Sequence, residues 1–204
     1  MLTYKIIETI LKIPLVYYIW DRPFNQQKNR IIQKVLPQRK DISILDIGCG
    51  PGSNTEMFLS CQYTGIDLNS AYIDHAQKKF PNCQFFNQDA TQMKLPAKSF
   101  DLVLINGFFH HIPDETINNI ITESISVLKD QGRILIFDPI IPPTNNTLQN
   151  MLMKLDRGKF FRSETQLKEL FDSTFETETK GLFPFKLFGL ITGWQVMTLL
   201  LKRI

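Results

Sequence analysis

The run Asp46-Ile47-Gly48-Cys49-Gly50-Pro51-Gly52 holds residues whose spacing can bring bare backbone against a bound molecule. Three glycines in five positions tolerate backbone angles that other residues avoid, and no side chain keeps a ligand away from their N–H groups. Fifteen residues after Gly52, the apolar run Tyr63-Thr64-Gly65-Ile66 ends in Asp67. A carboxylate at the tip of a second strand is placed to accept hydrogen bonds from a ribose diol. Together these features point to a nucleoside-containing cofactor. A third group is the pair His110-His111. Imidazole titrates near neutrality, so either ring could take a proton from a reacting oxygen, nitrogen or carbon, or could instead organise its loop by bonding to backbone.

These residues have to be positioned by regular elements, and the chain alternates strand-like and helix-like runs. Ile44, Leu45 and Ile47 predict a short buried strand before the glycines, and Ser53 to Leu59 reads as the opening of a helix. A helix follows over Ala71 to Phe80, closed by Pro81, then a strand over Gln84 to Asn87 and another over Phe100 to Ile105. Pro113 and Asp114 open a helix with Ile117, Ile120, Ile121, Ser124 and Leu128 on one face. Residues 129–132 end it, and Arg133 to Phe137 is the fifth strand. This rhythm implies right-handed crossovers and a parallel sheet covered on both faces. Beyond a Pro-rich turn and an insertion at 148–155, Ser163 and Gln166 form a capping-box signature. Two last strands, Thr174 to Thr179 and Trp194 to Leu201, flank a loop containing Phe183, Phe185 and Phe188, and should pair antiparallel.

The glycine spacing separates two cofactor classes. A dinucleotide loop reads G-x-G-x-x-G, whereas here the third glycine falls one residue earlier. The pattern Leu45-Asp46-Ile47-Gly48-Cys49-Gly50-Pro51-Gly52 resembles the first motif of the class I S-adenosylmethionine-dependent methyltransferases, small-molecule type, and the resemblance covers residues 40–204. It implies an α/β, Rossmann-like fold: a seven-stranded, mostly parallel sheet with one antiparallel strand and helices on both faces. It implies S-adenosyl-L-methionine as cofactor. Asp46, Gly48, Cys49, Gly50 and Gly52 would line its methionine and ribose side, and Asp67 would hold the ribose. Leu68 would cover the adenine, Asp89 followed by Ala90 would meet the adenine amino group, and Asn106 would pass the methionine end. The expected domains are an N-terminal helical lid segment, 1–40, and the cofactor-binding domain, 41–204.

Composition bounds the partners. The chain has 204 residues, 43% hydrophobic and 21% charged, with formal net charge +3, which is ordinary for a globular protein and too mild to demand an anionic polymer. Cys49, Cys61 and Cys83 share no metal-ligand spacing, so neither a structural metal nor a disulfide framework is expected, and a reducing, cytoplasmic setting is. No proline follows Asn106, no Pro-Cys pair exists, and no basic domain is appended, which argues against nucleic acid. Leu2, Ile6, Ile7, Ile10 and Leu11 form an amphipathic pattern, a lid over the domain or a peripheral membrane contact. Candidate acceptor contacts are the polar-tipped rings of Tyr17 and Tyr18 and the cations Arg157 and Arg162, the latter two against an anionic group. The expected reaction is methyl transfer to a small, partly apolar organic acceptor, an aromatic or isoprenoid metabolite. The alternatives are a silent cofactor-binding partner subunit and non-transfer chemistry such as cyclisation. The residues do not specify an oligomeric state.

Overall fold

Alternation along the strands assigns the two faces of the sheet before any helix is considered. In β1 (Ser43–Ile47), β4 (Phe100–Asn106) and β5 (Leu128–Ile140), Leu45, Ile47, Val103, Ile105, Ile134 and Ile136 point to one core. Ile44, Leu102, Leu104, Leu135 and Phe137 point to the other. Successive side chains of a strand face opposite ways, so a sheet buried on both sides needs apolar residues at nearly every position. That explains why β1 is buried at all five positions.

The structure is a computed structural model and describes residues 26–36, 41–142, 153, 158–171, 174–187 and 191–203. The amphipathic pattern over 1–20, Tyr17, Tyr18, Arg157, Phe188 and all of the 148–155 insertion except Met153 lie outside the described residues. The sheet has seven strands, with β2 (Gln62–Asp67), β3 (Gln84–Asn87), β6 (Phe175–Leu187) and β7 (Ile191–Arg203) completing the order β3-β2-β1-β4-β5-β7-β6. The first five strands pair in parallel. β7 enters antiparallel between β5 and β6.

Helices cover both faces. Residues 26–35 form α1, and Ile31, Ile32 and Val35 sit in the same core as α2 (Ser70–Lys79). The described part of the expected lid thus packs against the sheet domain. The Asn69 side chain accepts from the Ala71 N–H to cap α2, and Lys78 and Lys79 complement the dipole in its last turn. α3 (Asp114–Val127) and α4 (Glu164–Glu169) serve the other core, α4 through the capping box of Ser163 and Gln166.

Three sequence expectations change. After the glycines there is only a 3-10 turn, Thr55–Phe58, and no α-helix. The reason is that the Asn54 side chain, which could have capped a helix, is drawn inward to Asp46 and Asn106. Leu128, expected on the face of α3, instead begins β5, where it pairs with Phe100, and 129–132 continue that strand across a register shift. Finally, the last two strands are far longer than expected. Phe183 and Phe185 lie within β6, paired with Val196 and Trp194, and not in a loop.

Candidate functional site

The carboxyl ends of β1, β2, β4 and β5 converge on one edge, and the glycine loop sits there. Gly48, Gly50 and Gly52 have φ of +70°, +55° and +83°, a region that L side chains rarely enter. The alternating bends turn the chain back so that Gly48 N–H and Cys49 N–H both donate to the Ile66 carbonyl, at 2.9 and 3.0 Å. Gly48 also lacks room: a Cβ there would lie 2.7 Å from Cδ2 of Phe108. Cys49 is buried, and burial pushes its thiol well above the ordinary range, so it is a packing residue without nucleophilic character.

Asp67 ties this loop to the next element. One carboxylate oxygen accepts from the Gly50 N–H at 3.0 Å, the other from the Asn69 N–H at 2.8 Å. A carboxylate accepts about four hydrogen bonds, so it can hold this geometry and a diol as well. It borders a cavity of about 110 Å³ lined also by Gly48, Leu68, Asp89, Ala90 and Phe108. Leu68 is 69% exposed, an apolar side chain standing in solvent at the mouth of a cavity. Asp89 is held by the Thr91 N–H and hydroxyl, both at 2.8 Å. The structure therefore brings Gly48, Asp67, Leu68, Asp89 and Ala90 to one pocket. Replacing Asp67 with alanine is expected to weaken S-adenosylhomocysteine binding by about 1–3 kcal/mol. Titration calorimetry checks this, and unchanged affinity would remove the ribose assignment.

Asp46 lies beneath the loop, fully buried. Its Oδ2 accepts from the Tyr63 hydroxyl at 2.5 Å and from Asn54 Nδ2 at 3.0 Å. Its Oδ1 has no hydrogen-bond partner among the described residues. Burial pushes its pKa up to about 6. Asn106, at the tip of β4, donates to Asn54 Oδ1 at 2.7 Å. A buried carboxylate with an unpartnered oxygen under a glycine cradle suits a ligand that carries positive charge.

Past Asn106 the chain turns at Gly107 (φ +63°) into a short 3-10 turn, Phe109–His111. Asp138, buried near the end of β5, accepts from the Phe109 N–H at 3.2 Å, and His110 Nδ1 lies 3.1 Å from the same oxygen. That oxygen acts as an acceptor toward Phe109, so the contact suits the tautomer in which Nδ1 donates to it. The ring is confined by Phe161 (centroids 5.2 Å apart) and His111 (3.9 Å). A Cβ on Gly158 would come within 2.3 Å of His110 Cδ2. The two histidines are thus unequal: His110 is buried and oriented, while His111 lies half-buried against it.

Arg162 does not offer its charge to a substrate. Nε and Nη2 donate to Asp114 Oδ1, Nη1 to the Phe109 and Phe160 carbonyls, and Nη2 also to the Ile112 carbonyl. All five guanidinium N–H groups are committed, and the side chain pins residues 158–162 to the histidine turn. Sequence reading took its charge as a substrate clamp, because spacing cannot show that the donors are already used. It also passed over Asn54, Tyr63 and Asp138 as site residues. The legible signal for Asp138 was an acidic residue ending an apolar strand at the ligand edge.

Comparisons with known proteins agree with this geometry. A model of the methyltransferase domain family matches residues 44–132. A trans-aconitate 2-methyltransferase from Enterobacter sp. is 33% identical over 104 residues, 48% of this chain and 40% of the relative. The chain thus spans under half of that relative's length. The structure of YcgJ from Bacillus subtilis superposes with TM-score 0.68 at 19% identity, over 88% of this chain and 99% of that one. Geranyl diphosphate C-methyltransferase from Streptomyces coelicolor, solved with S-adenosyl-L-homocysteine, gives TM-score 0.70 at 12% identity, over 90% and 82%. The last two identities speak to the fold alone. With the domain match falling on the segment that carries the glycine loop, Asp67 and the histidine turn, residues 44–132 are similar to a methyltransferase domain, and S-adenosylmethionine is the cofactor to which that likeness points.

Proposed function

We propose that this chain transfers a methyl group to a small, partly apolar organic acceptor, an aromatic or isoprenoid metabolite. His110 takes the acceptor's proton, and Asp138 holds His110 in the required tautomer. The observation that carries the reading is the Asp67 carboxylate bonded to Gly50 N–H beside the cavity, with the His110–Asp138 pair on the same edge of the sheet. The bound cofactor supplies a sulfonium-activated, electrophilic methyl group. The residues supply the rest. The glycine loop and Asp67 fix the cofactor, so that much of the rate comes from in-line placement. His110 Nε2 would receive the proton that the acceptor gives up on methylation. Ile141 and Phe160, 42% and 39% exposed near that edge, favour an acceptor with apolar surface.

The test uses the purified chain with S-adenosylmethionine, S-adenosylhomocysteine and NADH in calorimetry, then a panel of phenols, prenyl diphosphates and trans-aconitate. Binding of the first two without NADH, and turnover of a protonated acceptor, are the expected results. His110→Ala is expected to slow that turnover by about 10²–10⁴-fold while leaving S-adenosylhomocysteine affinity within about twofold. A carboxylate acceptor such as trans-aconitate reacts as an anion and needs no base. Turnover of that acceptor alone, unaffected by His110→Ala, would replace the proposed acceptor class. Lack of binding to either sulfur ligand would overturn the enzymatic reading.

A further inference from the structure

The connection from β1 to β2 contains only the 3-10 turn Thr55–Phe58, which is too short to lie across the strands as an α-helix does. Beside that turn is a cavity of about 460 Å³, within the range of small-molecule sites. Asp101 and Ile42, which line it, stand at the amino ends of β4 and β1, at the other end of the sheet from the glycine loop. Its apolar wall comes from Ile32, Val35 and Leu36 of α1, Met57 and Phe58 of the turn, and Leu200 of β7. None of the residues assigned above to cofactor or acceptor lines it.

The polar side of the cavity selects a head group. Three charged residues line it, Asp101, Arg133 and Glu178. Arg133 donates from Nε and Nη2 to the two Glu178 oxygens and from Nη1 to the Gln131 carbonyl, so that cation and that anion neutralise each other. Asp101 is different. Its Oδ2 accepts from the Ser43 N–H, the Ser43 hydroxyl and Lys129 Nζ at 2.9, 2.7 and 2.8 Å, while its Oδ1 accepts no hydrogen bond among the described residues. Lys129 is 44% exposed and lies outside the lining, so water screens its hold on the Asp101 charge. An anionic head group would meet two carboxylates and one committed guanidinium. A cationic N–H group would meet a carboxylate oxygen with its acceptor capacity unused.

We propose that this cavity is a second ligand site, for a small organic ammonium with an apolar body, whose N–H group donates to Asp101 Oδ1. The hydrocarbon lies against α1 and the turn and supplies most of the affinity, while Asp101 decides the head group. The site is separate from the methyl-transfer edge and stands whether or not that reading holds.

The experiment uses three probes of equal chain length, octylamine, octanol and octanoate, on the full native chain. The half-buried Cys61 lines the cavity, whereas the half-buried Cys83 is outside the lining. Octylamine is expected to slow alkylation of Cys61 by iodoacetamide in proportion to occupancy and to leave Cys83 unchanged, read by peptide mass spectrometry. Titration calorimetry should give octylamine about tenfold tighter binding than octanol, with octanoate weaker than both. Asp101→Asn should bring octylamine to the affinity of octanol. Ser60→Trp, at an exposed position of the lining, should abolish binding of all three, and it tests the site should Asp101→Asn not fold. Equal affinity for the three probes, or protection of both cysteines alike, would overturn the proposal. Displacement of octylamine by S-adenosylhomocysteine would place it at the other edge and overturn the proposal too. Shielding of Cys61 that grows with protein concentration and without any probe would give the cavity to a second copy of the chain instead.

Discussion

Replacing Arg162 with alanine is expected to destabilise the folded chain by about 3–5 kcal/mol, a large part of a typical domain's total stability. The ion pair is not the main reason. Asp114 is 66% exposed, and a solvent-exposed partner contributes little. The loss comes from the carbonyls of Phe109, Ile112 and Phe160, which take three of the guanidinium's five donors. A buried acceptor left unpaired costs about 1–3 kcal/mol, and water entering the vacated space recovers part of that. Arg162→Lys, with a single ammonium and no planar fork, should recover less than half. Urea unfolding gives the answer. A loss under about 1 kcal/mol would mean that the histidine turn is held by its other contacts. Because the Lys159 and Phe160 N–H groups donate to the His110 carbonyl, the same substitution should loosen the cage around His110.

The second large effect is proton-linked and centres on Asp46. Its pKa of about 6 lies above the ordinary carboxyl value of 3.8, chiefly through burial. A raised carboxyl pKa means that the folded state binds the proton more tightly than the unfolded state. Stability from this group is therefore fully present at low pH and declines as pH rises from about 4 through 6. About two pKa units correspond to about 3 kcal/mol. Asp46→Asn should flatten that part of the pH–stability curve. A cationic ligand above the carboxylate reverses the preference by favouring the ionised form. Affinity for S-adenosylhomocysteine is thus expected to rise about tenfold from pH 5 to pH 7 in the native chain. The variant should bind more weakly at pH 7 and lose the slope. The groups acting on Asp46 are Tyr63, Asn54, Lys28, Asp67 and Cys49. The two histidines of the turn are common to both proteins, so the difference between the slopes isolates Asp46. Identical slopes would exclude Asp46 as their source.

The sequence alone determined the parts of this protein that depend on local pattern. Continuous apolar runs in β1, β4 and β5 require a sheet buried on both faces. The glycines at 48, 50 and 52 require a turn that only glycine makes easily, and Asp67 at a strand tip requires a polar partner at the ligand edge. Spacing within a few residues carries each of these, so each is legible without tertiary contacts. The elements that shifted are those where a distant residue wins over local preference. Asn54 would have capped a helix had Asp46 and Asn106 not taken its amide. Leu128 would have closed the face of α3 had Phe100 not paired with it.

Only the tertiary structure decided how the charges and hydrogen bonds are used. Arg162 reads as a cation for a substrate until five donors are seen committed to Asp114 and three carbonyls. His110 and His111 are indistinguishable in the sequence. They separate because Asp138, 28 residues away, holds His110 Nδ1, while the His111 ring lies tilted against its neighbour. Hydrogen bonds form between whichever groups the fold brings within about 3 Å. Sequence spacing carries no record of that distance for residues on different strands.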